Sequence, residues 1–165
     1  KAPDTDFWKS QKFRMENLVL KPIEAQLARK EKQSLKDGSF YIDIANSVDS
    51  LALSPENKEI LKVEAAKKAV ADVRSKLGLA ISYGMTNDPR QLKIFDSDTK
   101  PNAIAAVKNL MILLGENPEL LEAPEIKNEI EEIKNKLPNL KQSAENYTSV
   151  SEMIMVTSSL IDRVA

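Results

Sequence analysis

The chain contains no cysteine and no histidine among its 165 residues. The first absence excludes disulfides, zinc–thiolate sites and iron–sulfur clusters. The second removes the side chain whose charge changes nearest neutral pH. With it go the usual general base and the commonest transition-metal ligand. Glycine is scarce, four residues set far apart, so no glycine-rich loop is available to cradle a phosphate. Apolar runs are short. Positions 110–114 are among the longest, against the roughly 20 residues that a membrane-crossing helix needs.

Neither sign of charge dominates. Lys and Arg number 24, Asp and Glu 25, for a formal net charge of −1. Non-specific nucleic-acid binding needs a basic stripe that displaces counterions, and adhesion to an anionic membrane needs a similar excess. The overall balance speaks against both. The length suits one domain, taken as residues 1–165, able to bury about 68–70% of the surface its unfolded chain exposes. The chain opens Lys1-Ala2-Pro3-Asp4, without methionine. Together with the missing thiols, this points to an excised domain or to a processed protein outside the cytoplasm, whether periplasmic, lumenal or secreted.

What is present is helical punctuation. Ser54-Pro55-Glu56, Asp88-Pro89-Arg90 and Asn117-Pro118-Glu119 each set a capping side chain before a proline at the first helical position. Thr99-Lys100-Pro101 and Ala123-Pro124-Glu125 are looser starts of the same kind. A first helix is expected over 6–36, kinked by Pro22 near Leu18 or broken at Lys21, and ended by Asp37-Gly38. Its apolar stripe is Trp8, Met15, Leu18, Val19, Ile23 and Leu27, and its end, 29–36, reads as solvated. A short helix over 39–53 follows, with Tyr41, Ile44, Val48 and Leu51 on one face.

The clearest element runs over 55–83. Val63, Ala66, Val70, Val73, Leu77, Ala80 and Gly84 alternate four and three, which marks one helix face. Glu64–Lys68 and Asp72–Lys76 are expected as ion pairs on the outer face. Residues 84–102 read as irregular, with one helical turn. Residues 104–114, apolar except for Lys108 and Asn109, read as a central helix. A turn at 117–122 precedes a last helix from Pro124. There the four–three alternation is kept across Pro138 from Ile126 to Tyr147, which predicts one kinked helix.

Motifs for chemistry fail on inspection. Asp96-Ser97-Asp98 opens like a calcium loop, but Lys100, Pro101 and Val107 stand where an oxygen ligand, a glycine and a glutamate are required. Glu129, Glu131 and Glu132 lie beside Lys127, Lys134 and Lys136 and read as a salt-bridged surface. The serines near the end have no histidine to activate them, and no credible serine–lysine pair appears. Trp8 and the Met153–Met155 segment are the candidate adhesive features, because tryptophan and methionine supply large contact area at interfaces.

The sequence therefore predicts an all-α protein, an antiparallel helical bundle of four or five main helices with two short helical turns. It predicts no enzyme, no cofactor and no metal site. The expected function is a non-catalytic protein-binding or assembly module outside the cytoplasm, its protein partner held by a helix face that includes Trp8, Met153 or Met155. The alternative is an extracytoplasmic ligand-sensing domain of a membrane receptor.

Overall fold

The computed structural model describes residues 5–30 and 32–163, and every regular element among them is helical. The chain runs through α1 (Thr5–Met15), a first π turn (Glu16–Leu20), α2 (Lys21–Lys30), α3 (Lys32–Asp37), α4 (Phe40–Asp49) and the long α5 (Pro55–Gly84). Then come α6 (Pro89–Ile94), a second π turn (Phe95–Thr99), α7 (Lys100–Glu116), a 3₁₀ turn (Pro118–Glu122), α8 (Pro124–Ser143) and α9 (Thr148–Asp162). The protein is an all-α bundle.

Prolines shape the path in a way that sequence reading did not foresee. Pro22 has no N–H, and its ring would strike the carbonyl of Leu18 in a regular helix. The chain neither breaks nor leaves helical dihedrals. The preceding turn widens by one residue, and Lys21 donates its N–H to the Glu16 carbonyl five residues back. The same solution recurs before Pro101, where Lys100 donates to the Phe95 carbonyl. Residues 89–116 are thus continuously helical, so only 85–88 of the segment expected to be irregular is so, and the loose helix start at Pro101 falls inside the helix. The Asp96-Ser97-Asp98 triplet lies inside this second π turn, not in a loop.

The widened first turn also changes register. Leu18, expected on the buried stripe, is 72% exposed, and Leu20 is fully buried in its place. At the other end, α8 continues through Pro138 as expected but stops at Ser143. Ala144 and Tyr147 leave helical dihedrals, and α9 starts afresh at Thr148. The single last helix is therefore two. The stripe looked unbroken because Ala144 and Tyr147 both still pack on the core.

Of the expected caps, Ser54 accepts from the Asn57 N–H and Asp88 from the Arg90 N–H. Asn117 instead turns back, donating to the Leu113 carbonyl and accepting from Lys62. Gly38 ends α3 at φ 80°, where a Cβ would also lie 3.0 Å from the Ala106 backbone. That close approach seats α3 on α7, and Asn109 of α7 donates to the Asp37 carbonyl at 2.7 Å. Ser34 is buried accordingly, while Arg29, Gln33, Leu35 and Lys36 are exposed, as expected of a solvated stretch.

Burial organises around α5. Ala66, Val70, Val73, Leu77, Ala80 and Gly84 are buried as the four–three spacing requires. A second face, with Leu61 and Ala65, is buried too, against Leu20 and against Phe40, Ile44 and Val48 of α4. The main core lies on the other side, where α7, α8 and α9 bring Leu110, Leu113, Ile126, Ile130, Met153 and Ile154 together. α7 touches α3, α4, α5 and α9, as a central helix should, though Ile112 points outward.

Candidate interaction surfaces

The structure separates the residues singled out from sequence. Met153 is 1% exposed and belongs to the main core, so it cannot touch a partner while the protein is folded. Met155, two residues on, is 53% exposed. Trp8 is half-buried on α1. α1 packs on α5 and on the first π turn, while α9 packs on α5, α7 and α8. Trp8 and Met155 therefore belong to two different surfaces.

The first surface is built on α1. Neither hydrophobic cluster includes a described residue before Met15. Three of the chain's eight aromatic side chains, Phe7, Trp8 and Phe13, thus sit on a helix that meets the core only at its last residue, Met15. Its inward face is fixed by polar contacts. Gln11 donates to the Asn57 side chain at 2.8 Å, and the Lys12 ammonium lies 3.1 Å from the largely buried Glu64 carboxylate, which Lys67 shares at 3.3 Å. Burial works against the Lys12 charge. The hydrogen bond and field of Glu64, with the field of Glu16, outweigh it and hold the ammonium above its ordinary pKa. Glu64 is thus no outer-face partner of Lys68, which pairs with Glu24 of α2 instead. On the outward face Phe13 is 67% exposed and Leu18 more so. Phe7, also exposed, sets its ring edge-on to Trp8 at 5.5 Å between centroids.

The second surface is a groove of about 420 Å³ between α8 and α9. Leu137 and Ile154 supply buried apolar walls, Pro138 and Met155 line it, and Lys141 and Asp162 bring one charge of each sign. Pro138 lies inside α8 and has no backbone N–H to donate, while Ser158 and Ser159 of α9 add hydroxyls to the lining.

A further groove, about 360 Å³, lies between α3, α5 and the start of α7. Three of its four charged groups, Asp72, Lys76 and Asp98, already have partners. Lys76 bonds Asp72 at 2.5 Å and the Leu35 carbonyl at 2.9 Å, and Asn102 donates to Asp98 at 2.8 Å. Thr99 lies at its edge with a buried hydroxyl that has no hydrogen-bond partner. Of the α8 carboxylates expected on a salt-bridged surface, Glu129 pairs with Arg74 and Glu132 with Arg74 and Lys136. The Lys136 hydrogen bond pulls the Glu132 carboxyl below its ordinary pKa. Among the described residues no three acidic side chains converge as a metal site would require, and no helix is long and apolar enough to cross a membrane.

Sequence reasoning misplaced Leu18 because it lies within the π turn, where the facing of a residue depends on where the helix widens. Phe7 and Phe13 did carry a signal, since both fall off the stripe drawn through Trp8 and Met15. No protein-family model matches the chain, and no curated protein or solved structure shows significant similarity to it.

Proposed function

We propose that the chain is a non-catalytic protein-binding or assembly module acting outside the cytoplasm, and that its protein partner is held by the α8–α9 groove. The observation that carries this reading is Met155, a large flexible apolar side chain left half in solvent beside a groove that also presents Leu137, Pro138 and Ile154. Methionine adapts to irregular apolar partners, and a groove with one charge of each sign at its margin suits a contact that expels water. Val156, also exposed, extends the apolar surface along α9. The extracytoplasmic setting is supported by the absent thiols alone.

The test is affinity purification of the tagged chain from its native source, beside the same chain carrying Met155→Lys. The variant should lose a co-purifying protein at an unchanged melting temperature, because the side chain it replaces adds little to the core. Retention of every partner by the variant would remove the groove from the interface. A turnover traced to the pure chain would refute the non-catalytic class.

A further inference from the structure

The balance of charge over the whole chain hides a division. Nine basic and five acidic residues occur up to Lys36, and fifteen basic and twenty acidic after it, so the formal charge is +4 on the first part and −5 on the rest. The expectation that this protein avoids anionic membranes rested on the sum and overlooked the division.

α1 concentrates that basic character beside its exposed apolar groups. Phe7, Ser10, Arg14 and Leu18 recur at spacings of three and four and are all exposed. Asn17 bonds back to the Phe13 carbonyl and receives Lys21, each at 2.8 Å, which puts Phe13, Asn17 and Lys21 on a neighbouring line. Lys9 is exposed as well. Asp6, the only acid of α1, is exposed and lies four residues before Ser10, so one acid stands against the cations of this face, while Glu16 in the π turn is half-buried. The face is the convex side of one helix, with three large apolar groups and three cations. The apolar groups can enter the head-group boundary while lysine and arginine stems reach up to phosphate.

We infer that the outward face of α1 and the π turn after it rests on an anionic lipid surface. Charge complementarity selects this occupant, as does the convex form of the face, since a deformable bilayer needs no matching ridge. The attachment is peripheral, and α1 stays docked on α5 through Gln11 and Lys12. It is independent of the α8–α9 groove, because α1 and α9 do not touch. Both surfaces can be occupied together.

The experiment is co-sedimentation of the full chain with vesicles of phosphatidylcholine holding about one third phosphatidylglycerol, beside vesicles of phosphatidylcholine alone. The single tryptophan, Trp8, borders the face and reports docking by a shift of its emission to shorter wavelength. The expected result is binding to the anionic vesicles at low salt, its loss at high salt, and none to the neutral ones. Arg14→Glu, which removes one positive charge and adds a negative one, should weaken binding roughly 25-fold, about five-fold for each unit of charge. Phe13→Ser with Leu18→Ser should abolish it while leaving the melting temperature in place. Phe13→Ser alone, with the salt series on the unaltered chain, decides the matter if the double variant folds poorly. Absence of binding at low salt would overturn the proposal, as would binding that survives the loss of Phe13 and Leu18. So would association with double-stranded DNA that the same variant retains, or a self-association that it abolishes in the absence of lipid. Met155→Lys should keep vesicle binding intact, so the two surfaces stand or fall separately.

Discussion

Replacing Gly84 by alanine should destabilise the protein, while the same replacement at Gly78, on the same helix, should stabilise it. The contrast isolates packing from helix propensity. Alanine is favoured over glycine inside a helix by roughly 0.5–1 kcal/mol, because the unfolded chain loses freedom and no surface is exposed. At Gly78 nothing lies within 4 Å of the place a Cβ would occupy, so that gain should appear undiminished. At Gly84 a Cβ would stand 2.7 and 2.8 Å from two ring carbons of Phe95, and nearer still to a methyl of Val150. Ordinary carbon contacts need about 3.5–4 Å. Phe95 and Val150 are both fully buried, so neither can swing into solvent. Relief requires the second π turn and the start of α9 to move off α5. Overpacking of that kind costs about 1–3 kcal/mol, and a small propensity gain at the last residue of the helix leaves a net loss of roughly 1–2 kcal/mol. For a chain of this size about 2–4 °C of melting temperature accompany each kcal/mol, so Gly84→Ala should melt roughly 2–8 °C lower and Gly78→Ala roughly 1–4 °C higher. Circular-dichroism melts, with urea titrations to check that the m-value is unchanged, would measure both. Should Gly84→Ala melt at or above the parent, α9 and the π turn do not approach α5 as closely as described.

Val70→Asp or Leu110→Asp puts a carboxylate where neither side chain has more than a trace of exposure, and each should abolish cooperative unfolding in thermal melts. Glu132→Lys, on the exposed surface of α8, should leave the melt almost unchanged, and similar losses for both groups would invalidate the assignment of faces. Thr99→Val should be neutral or stabilise by up to about 1 kcal/mol, because its buried hydroxyl lacks a partner, whereas Thr157→Val should gain less since that hydroxyl bonds the Met153 and Ile154 carbonyls. Urea midpoints of the two variants compare them directly. Tyr41 is pushed up to about 12 by burial, then by the charges of Asp72 and Glu24. The folded state therefore holds the phenol proton more tightly than the unfolded one. Its contribution is complete below the ordinary phenol pKa of about 10 and is lost as pH rises through the folded value, so stability should fall between pH 10 and about 12. Urea midpoints across that window should fall less steeply for Tyr41→Phe, and equal slopes would refute the shift.

Helix class, most helix starts and the inner face of α5 were legible in the residues. Cap–proline–glutamate triplets act within four residues, and a four–three stripe follows from 3.6 residues per turn. The errors cluster where one local rule met a tertiary demand. Pro22 and Pro101 forbid a regular turn, but the rule does not say whether the chain kinks, breaks or widens. Widening was chosen, and it turned Leu18 outward and Leu20 inward. Ala144 and Tyr147 keep the phase of the α8 stripe because both pack on the core, so a reversal between helices looked like continuity.

The two surfaces divide the same way. Trp8 was found because it is the only tryptophan, and Met155 because it belongs to an apolar run. That Met153 is sealed inside and Met155 stands outside depends on which side of α9 meets α7 and α8. The local alternation of α9 is too broad to fix that side. An all-helical chain without thiol, imidazole or phosphate-loop chemistry was readable from the residues, since those properties belong to residue types and near neighbours. Which aromatic groups remain outside the core, and which cations stand beside them, was settled by the packing of the helices. That choice depends on how α1, α5 and α9 pack across long separations in the chain, where no periodicity reaches.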